Sequence, residues 1–309
     1  MHIAVYLPLL TAAVLGLSAR WLAWQLPPST ATKLITVGAV VTSLAFVFSL
    51  GVLAFLLVAR TPPAAHLGRW SIHVLRETPV PPMASAAAVV VVIGALCSYT
   101  LTMWRQVRAA LSARAYCARI GGEPGRLVVL DAEHPDAYAL SAGRGRIVIT
   151  RPLLRLLDAG ERRALLAHER AHLTAHHHRY RLAVVLAASV CPLLRPAREA
   201  VTNSTERWAD EVAAAEIGDR SLVAATLART SLLVDASPRP APAHALRGAA
   251  GPVVRRVEAL LHSGPRQRPL LVVAVLALIV VSISASLDAQ HDTEGLLEHA
   301  NVVASATGR

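Results

Sequence analysis

The chain has 309 residues, 54% of them hydrophobic, 17% charged and 4% aromatic, with a mean hydropathy of +0.47. An ordinary soluble enzyme of this length does not carry so much apolar surface, so the composition excludes that class and favours a protein with membrane spans. The net charge of +11 is almost wholly arginine, Lys33 being the only lysine; in such a chain the excess reads as the basic bias of cytoplasmic loops, and no direct nucleic-acid partner is expected. Cys97, Cys117 and Cys191 are scattered without metal-ligand spacing, which excludes a disulfide framework and a cysteine-ligated metal.

Residues 3–19 are apolar without interruption, and after Arg20 the apolar character resumes through Trp21 and Trp24 to Leu26. With no basic segment ahead of it, this first stretch (about 3–26) is expected to be an uncleaved span with its tryptophans at the interface. Residues 34–59 and 83–104 carry no charge over 26 and 22 positions. At about 1.5 Å per residue each can cross a hydrocarbon core of about 30 Å. Residues 60–82 between them read as a Pro-containing loop. Arg105, Arg108, Arg114 and Arg119 then follow in quick succession, which places this flank in the cytoplasm, and the N-terminus and the 60–82 loop outside.

Residues 105–268 read as a small cytoplasmic α+β domain. Strands are expected at 127–130, 137–141 and 146–150, the last two joined by the turn signal Ala142-Gly143-Arg144-Gly145. Asp158 is an N-cap with Glu161 three residues on, opening a helix from about Ala159 to Arg181. In its middle stands His168-Glu169-Arg170-Ala171-His172. Helical residues four apart lie about 40° apart around the axis and about 6 Å along it, so the two imidazoles can meet one ion while Glu169 lies beside them as a base. Residues 182–194 are too few for a span and are expected to form a buried helix or one dipping into the membrane surface. Glu206-Arg207-Trp208-Ala209-Asp210 follows on a second helix, its two carboxylates facing one way. Residues 237–242 are a loop by composition, 253–261 a short amphipathic basic segment, and 264–268 a juxtamembrane flank. The fourth span is expected over residues 269–287, leaving a short acidic extracytoplasmic tail, 288–309.

A catalytic zinc takes three protein ligands and leaves one position to water. His168 and His172 supply two for a single ion. His176 continues the same face but lies about 12 Å along the axis from His168. Glu206 carries no such penalty and is preferred, with Asp210 placed to orient a ligand histidine by accepting its other ring N–H. The fold class expected is mainly α: a polytopic membrane protein with about four transmembrane helices and a small cytoplasmic α+β zincin-like metalloprotease domain.

Residues 137–141, 145–150, 161–172 and 206–210 together resemble the membrane metallopeptidases of the BlaR/MecR antirepressor type, particularly compact actinobacterial members. They are more distantly similar to HtpX and CAAX-prenyl-type membrane proteases. That resemblance implies that His168, His172 and Glu206 bind zinc, that Glu169 is the catalytic base, and that Asp210 supports the ligands. It also implies a multi-pass protein of the bacterial cell membrane, its active site on the cytoplasmic side, cutting a protein substrate such as a transcriptional repressor or other regulator. A quality-control protease and a non-catalytic zinc scaffold are the alternatives. The family's sensors carry a penicillin-binding domain after the last span, whereas 22 residues follow Leu287 here, so drug sensing is not expected. HtpX-type proteases place two spans between the motifs, and residues 182–194 leave no room for two. His176-His177-His178 reads as a polar helix end, His177 and Tyr180 are weak candidates for an oxyanion donor, and strand 146–150 is a candidate edge for an extended substrate.

Overall fold

The computed structural model describes residues 4–78, 80–121, 127–141, 145–235, 253–262 and 266–306. The chain opens with two apolar helices, α1 (Leu7–Gln25) and α2 (Pro28–Ala59), separated by Leu26 and Pro27. Two short helices, α3 (Pro62–Gly68) and α4 (Ile72–Arg76), lead to the long α5 (Pro82–Ile120). Prolines at the first turns of α2, α3 and α5 occupy positions where a missing N–H costs nothing. The segment expected to be a loop, 60–82, is therefore partly helical. Arg60 fastens it by donating to the carbonyls of Leu75 (3.0 Å) and Val80 (2.9 Å), and Trp70 Nε1 donates to Ala59 O (2.9 Å).

The three strands lie where the sequence places them: β1 (Leu127–Leu130), β2 (Ala137–Leu140) and β3 (Arg146–Thr150). Their order is β1-β3-β2, with β1 parallel to β3 (Val128 opposite Val148) and β2 antiparallel to it (Tyr138 opposite Val148). The expectation that β3 offers an edge to a substrate is thereby corrected. Ile147, Val148 and Ile149 are all buried, so this strand takes the centre, and β1 and β2 hold the edges. Residues 142–144 of the anticipated turn lie outside the described residues.

Six helices follow: α6 (Arg151–Leu156), α7 (Ala159–Thr174), α8 (His177–Val190), α9 (Arg195–Ile217), α10 (Arg220–Asp235) and α11 (Val253–Leu261). The last, α12 (Pro269–Ala306), is 38 residues long. The cap of α7 is a reciprocal box, Asp158 accepting from Glu161 N at 2.8 Å and Glu161 Oε2 accepting from Asp158 N at 2.9 Å. The helix anticipated from Ala159 to Arg181 is two helices, because His176 takes left-handed backbone angles (φ 53°) and redirects the chain. Near the break, Thr174 Oγ1 bonds back to the carbonyl of Arg170 (3.1 Å), a contact that bends helices. The composition-predicted loop at 237–242 lies outside the described residues, as do residues 264 and 265 of the anticipated flank.

Among the described residues four helices, α1, α2, α5 and α12, are long and apolar enough to cross a membrane. On α5, Val90, Ile93, Leu96 and Leu101 are all more than half exposed, an apolar surface that no other described element covers. Both α5 and α12 run on without a break past the charge-free stretches, α12 continuing through the acidic residues after Leu287 because nothing there interrupts a helix. The largest apolar cluster joins α1, α2, α8, α9 and α12 through Leu15, Ile35, Val184, Val201 and Ile279. The 14-residue α8 is thus a partly buried helix packed among the apolar ones. A separate cluster of Cys117, Tyr138, Leu140 and Val148 seats the sheet on the last turns of α5. The helix α9 touches the bundle at the α1–α2 connection, Arg207 donating to Ala23 O and Lys33 Nζ lying 5.3 Å over the Trp208 ring. At the opposite end Ala59, Leu75 and Ala300 pack together.

Candidate metal centre

Because α7 and α9 pack side by side through small residues, Ala164 and Ala167 meeting Ala213 and Ala214, their polar faces come within reach of one ion. His168 and His172 aim their Nε2 atoms at the same point, 3.2 Å apart. Glu206 faces both, with Oε2 at 3.6 Å from His168 Nε2 and Oε1 at 3.6 Å from His172 Nε2. A tetrahedral zinc with bonds of about 2.0–2.2 Å sets its ligand atoms about 3.3–3.6 Å apart, so this donor triangle fits that ion in chemistry and in size. His176, the rival third ligand, is exposed in the kink and is not part of the cluster. Asp210 Oδ1 lies 3.0 Å from the other nitrogen of His168, the place expected for an orienting carboxylate.

Glu169 is buried beside the two histidines and accepts a hydrogen bond from Ala139 N–H on β2. The sheet register explains why that donor is free. Thr150 N–H donates to Asp136 O (2.9 Å), so 136 pairs with 150 in a hydrogen-bonded pair and Ala137 and Ala139 turn their polar groups away from β3. Burial pushes the Glu169 carboxyl up to about 7, against the pull of His168. Burial also opposes charge on His168, but its bonds to Asp210 and Glu206 outweigh it and hold the imidazole at about 10. For Glu206, burial is overcome by His172, Arg256, His168 and Arg181, which keep its carboxyl well below the ordinary carboxylate range. The Asp210 carboxyl is likewise lowered, chiefly by Arg256 acting against burial.

Two of these neighbours escaped the sequence reading, and a third, His177, was expected at a polar helix end but is fully buried. Arg181 on α8 donates to Glu206 Oε1 at 2.5 Å. Arg256 on α11 grips Asp210 with two bonds of 2.8 and 2.7 Å and lies 3.2 Å from Glu206 Oε2. No motif spacing could have found it, since 46 residues separate it from Asp210; only the basic amphipathic pattern of its segment pointed there. His177 is the third. On one continuous helix a residue five positions past His172 lies about 140° around the axis, but the break at His176 turns it back. Its Nδ1 sits 2.8 Å from His172 Nδ1, and its ring lies 4.9 Å from that of Trp208, so it is packed behind His172. Tyr180 also lies against Trp208, ring centres 6.0 Å apart.

Fold and centre together describe a protein with four membrane-length apolar helices among the described residues and a buried two-histidine, one-carboxylate cluster beside which the Glu169 carboxyl lies. Residues 104–239, which hold that cluster, match the family described as Peptidase family M48. The chain is also 40% identical over 81 residues to a protein named Protease HtpX homolog from Thermoplasma volcanium (strain ATCC 51530 / DSM 4299 / JCM 9571 / NBRC 15438 / GSS1). That alignment covers 25% of this chain and 25% of the relative, so the chain matches about a quarter of the relative's length. No solved structure matches the chain. Over residues 104–239 the chain is thus similar to M48 peptidases.

Proposed function

We propose that the protein is a membrane-bound zinc endopeptidase that uses His168, His172 and Glu206 as ligands and Glu169 as general base. The observation that carries this reading is the donor triangle of 3.2 and 3.6 Å edges with the buried Glu169 carboxyl beside it. A zinc ion held there would lower the pKa of a coordinated water and polarise the scissile carbonyl. Glu169, with a pKa near neutrality, is suited both to take a proton from the attacking water and to return it to the leaving amine. Asp210 holds His168 in the orientation that turns Nε2 to the cluster, and Arg256 holds Asp210. An extended substrate would pair with the free edge of β2, where Ala137 points its backbone polar groups outward next to the Ala139 N–H already committed to Glu169.

The orientation proposed puts the centre on the cytoplasmic side. Supporting it, α9, the sheet and the arginine-rich half of α5 all gather at the end of the bundle where α1 meets α2. For the substrate, the motif resemblance favours a cytoplasmic regulator such as a transcriptional repressor, and the identity to a Protease HtpX homolog favours, as a second reading, membrane-protein quality control. Comparing N-terminal peptides from cells expressing the native protein and Glu169→Ala separates them: one substrate lost points to the regulator, a broad set to quality control. The variant is expected to keep zinc and lose cleavage. Cleavage that survives Glu169→Ala would remove the proposed base.

A further inference from the structure

Between α8 and α9 the chain turns through Cys191 and a 3-10 segment, Pro192–Leu194. No charged residue occurs between Arg181 and Arg195. At the turn Cys191 and Leu194 are fully buried, whereas Pro192 and Leu193 face outward. The turn rests on α1: a Cβ added at Gly16 would stand 2.0 Å from the Leu193 carbonyl oxygen, so only glycine permits this approach. Gly16 lies one helical turn, about 6 Å, to the apolar side of Arg20. Arg20, the only Lys, Arg, Asp or Glu in the first 32 residues, precedes Trp21 and Trp24 and pairs with Glu199 of α9 at 2.6 Å. An arginine followed by tryptophans marks the level at which an apolar helix leaves the acyl region.

The backbone of the turn is closed on itself. Cys191 N–H donates to Ala187 O (3.0 Å), Pro192 has no N–H, and Leu194 N–H donates to Cys191 O (3.0 Å). The Leu193 N–H faces the Cys191 sulfur, and the Arg195 N–H donates to Pro192 O. A turn in water has no need to satisfy every donor internally; a turn in lipid does. Beyond it Arg195 and Arg198 are exposed, and neither pairs with a carboxylate among the described residues.

We propose that the α8–α9 turn is a wedge inserted into the phospholipid bilayer. Pro192 and Leu193 lie among the acyl chains about one helical turn below the level of Arg20, and Arg195 and Arg198 reach back to the phosphates. The wedge does not depend on the peptidase reading. One consequence does: Glu206 is 12 residues beyond Leu194, about 18 Å along α9, so a peptidase centred there takes peptide bonds in membrane-proximal segments.

The test uses the full chain with Cys97→Ser, reconstituted in vesicles of phosphatidylcholine and phosphatidylglycerol, with nitroxide labels at Leu193→Cys, Arg198→Cys, Val90→Cys and Leu232→Cys. Val90 on α5 and Leu232 on α10 are exposed references for lipid and water. The ratio of collision with molecular oxygen to collision with a water-soluble nickel chelate is expected to be several-fold higher at Leu193 than at Leu232, approaching Val90, with Arg198 between them. A Leu193 ratio equal to that at Leu232 overturns the proposal. So does low accessibility to both reagents, which would show the tip covered by protein. Pro192→Cys repeats the reading should Leu193→Cys not fold.

Discussion

The pair formed by His172 and His177 decides which nitrogen of His172 is available to a metal. Their Nδ1 atoms are 2.8 Å apart. Burial keeps both rings neutral, holding His172 well below the usual imidazole range and His177 at about 3. Two neutral imidazoles in this arrangement share one proton between their Nδ1 atoms. For His172 Nε2 to present a lone pair to the cluster, that proton must belong to His172 and be donated to His177, which places the other proton on His177 Nε2. That Nε2 is buried and has no hydrogen-bond partner among the described residues. An unpaired buried donor costs about 1–3 kcal/mol, a sacrifice that makes sense if the ring is kept for orienting a ligand. His177→Phe keeps an aromatic ring against Trp208 and removes the acceptor. Loss of such an outer partner lowers metal affinity about 10–100-fold, equivalent to about 1.4–2.7 kcal/mol. Competition with a chromophoric chelator near neutral pH measures it, and thermal unfolding of the metal-free protein, expected to change little or to rise, separates orientation from folding. Zinc affinity within two-fold of native in a folded variant would refute the argument.

Two further perturbations address the same centre. Arg256→Gln removes most of the compensation for the buried Asp210 and Glu206 carboxylates, and breaking a buried ion pair from one side costs about 3 kcal/mol or more. Metal-free stability is therefore expected to fall by about that amount, and zinc to raise the melting temperature more in the variant than in the native protein, because the cation replaces part of the lost charge; an equal zinc shift in both would contradict this. His168, held up at about 10, is protonated at pH 8, whereas an imidazole ligand must be neutral. Zinc binding near pH 8 should then release about one proton per ion, read with a pH indicator in weak buffer, and no release would exclude His168 as a ligand.

The strands, the capped start of α7 and the two i, i+4 pairs were legible because each rests on local chemistry or on a periodicity confined to one helix. Short apolar runs on either side of a turn signal mark β2 and β3, a capping box fixes the start of α7, and i, i+4 spacing sets the pairs His168–His172 and Glu206–Asp210. What was missed is tertiary. The left-handed His176 has no local signature, since neither Gly nor Asn occupies that position, and the helical pattern runs straight through it. The central place of β3 depends on burial of both its faces, which strand length alone cannot show. Arg181 and Arg256 look like ordinary surface arginines in sequence and become site residues only when α8 and α11 fold over α9.

That folding also determines the charge balance at the centre. The carboxylates of Glu169, Glu206 and Asp210 face the guanidiniums of Arg181 and Arg256 and the protonated ring of His168, three charges of each sign, all of them close together and mostly buried. Without the arginines, Glu206 and Asp210 would stand as adjacent buried anions on α9, and one of them would take a proton. With them, Glu206 stays ionised and ready to bind a cation, and a divalent ion that displaces the His168 proton would leave the balanced site with a slight positive excess. A buried site with that sign favours negative charge developing on a carbonyl oxygen, where hydrogen-bond donors and cations count most. Arg256 comes from α11, beyond the residues 104–239 that match the peptidase family, and α11 is joined to the apolar helix α12 within a few residues. The electrostatics of the centre therefore depend on a helix outside its own matched segment, tied to the part of the chain that meets the membrane.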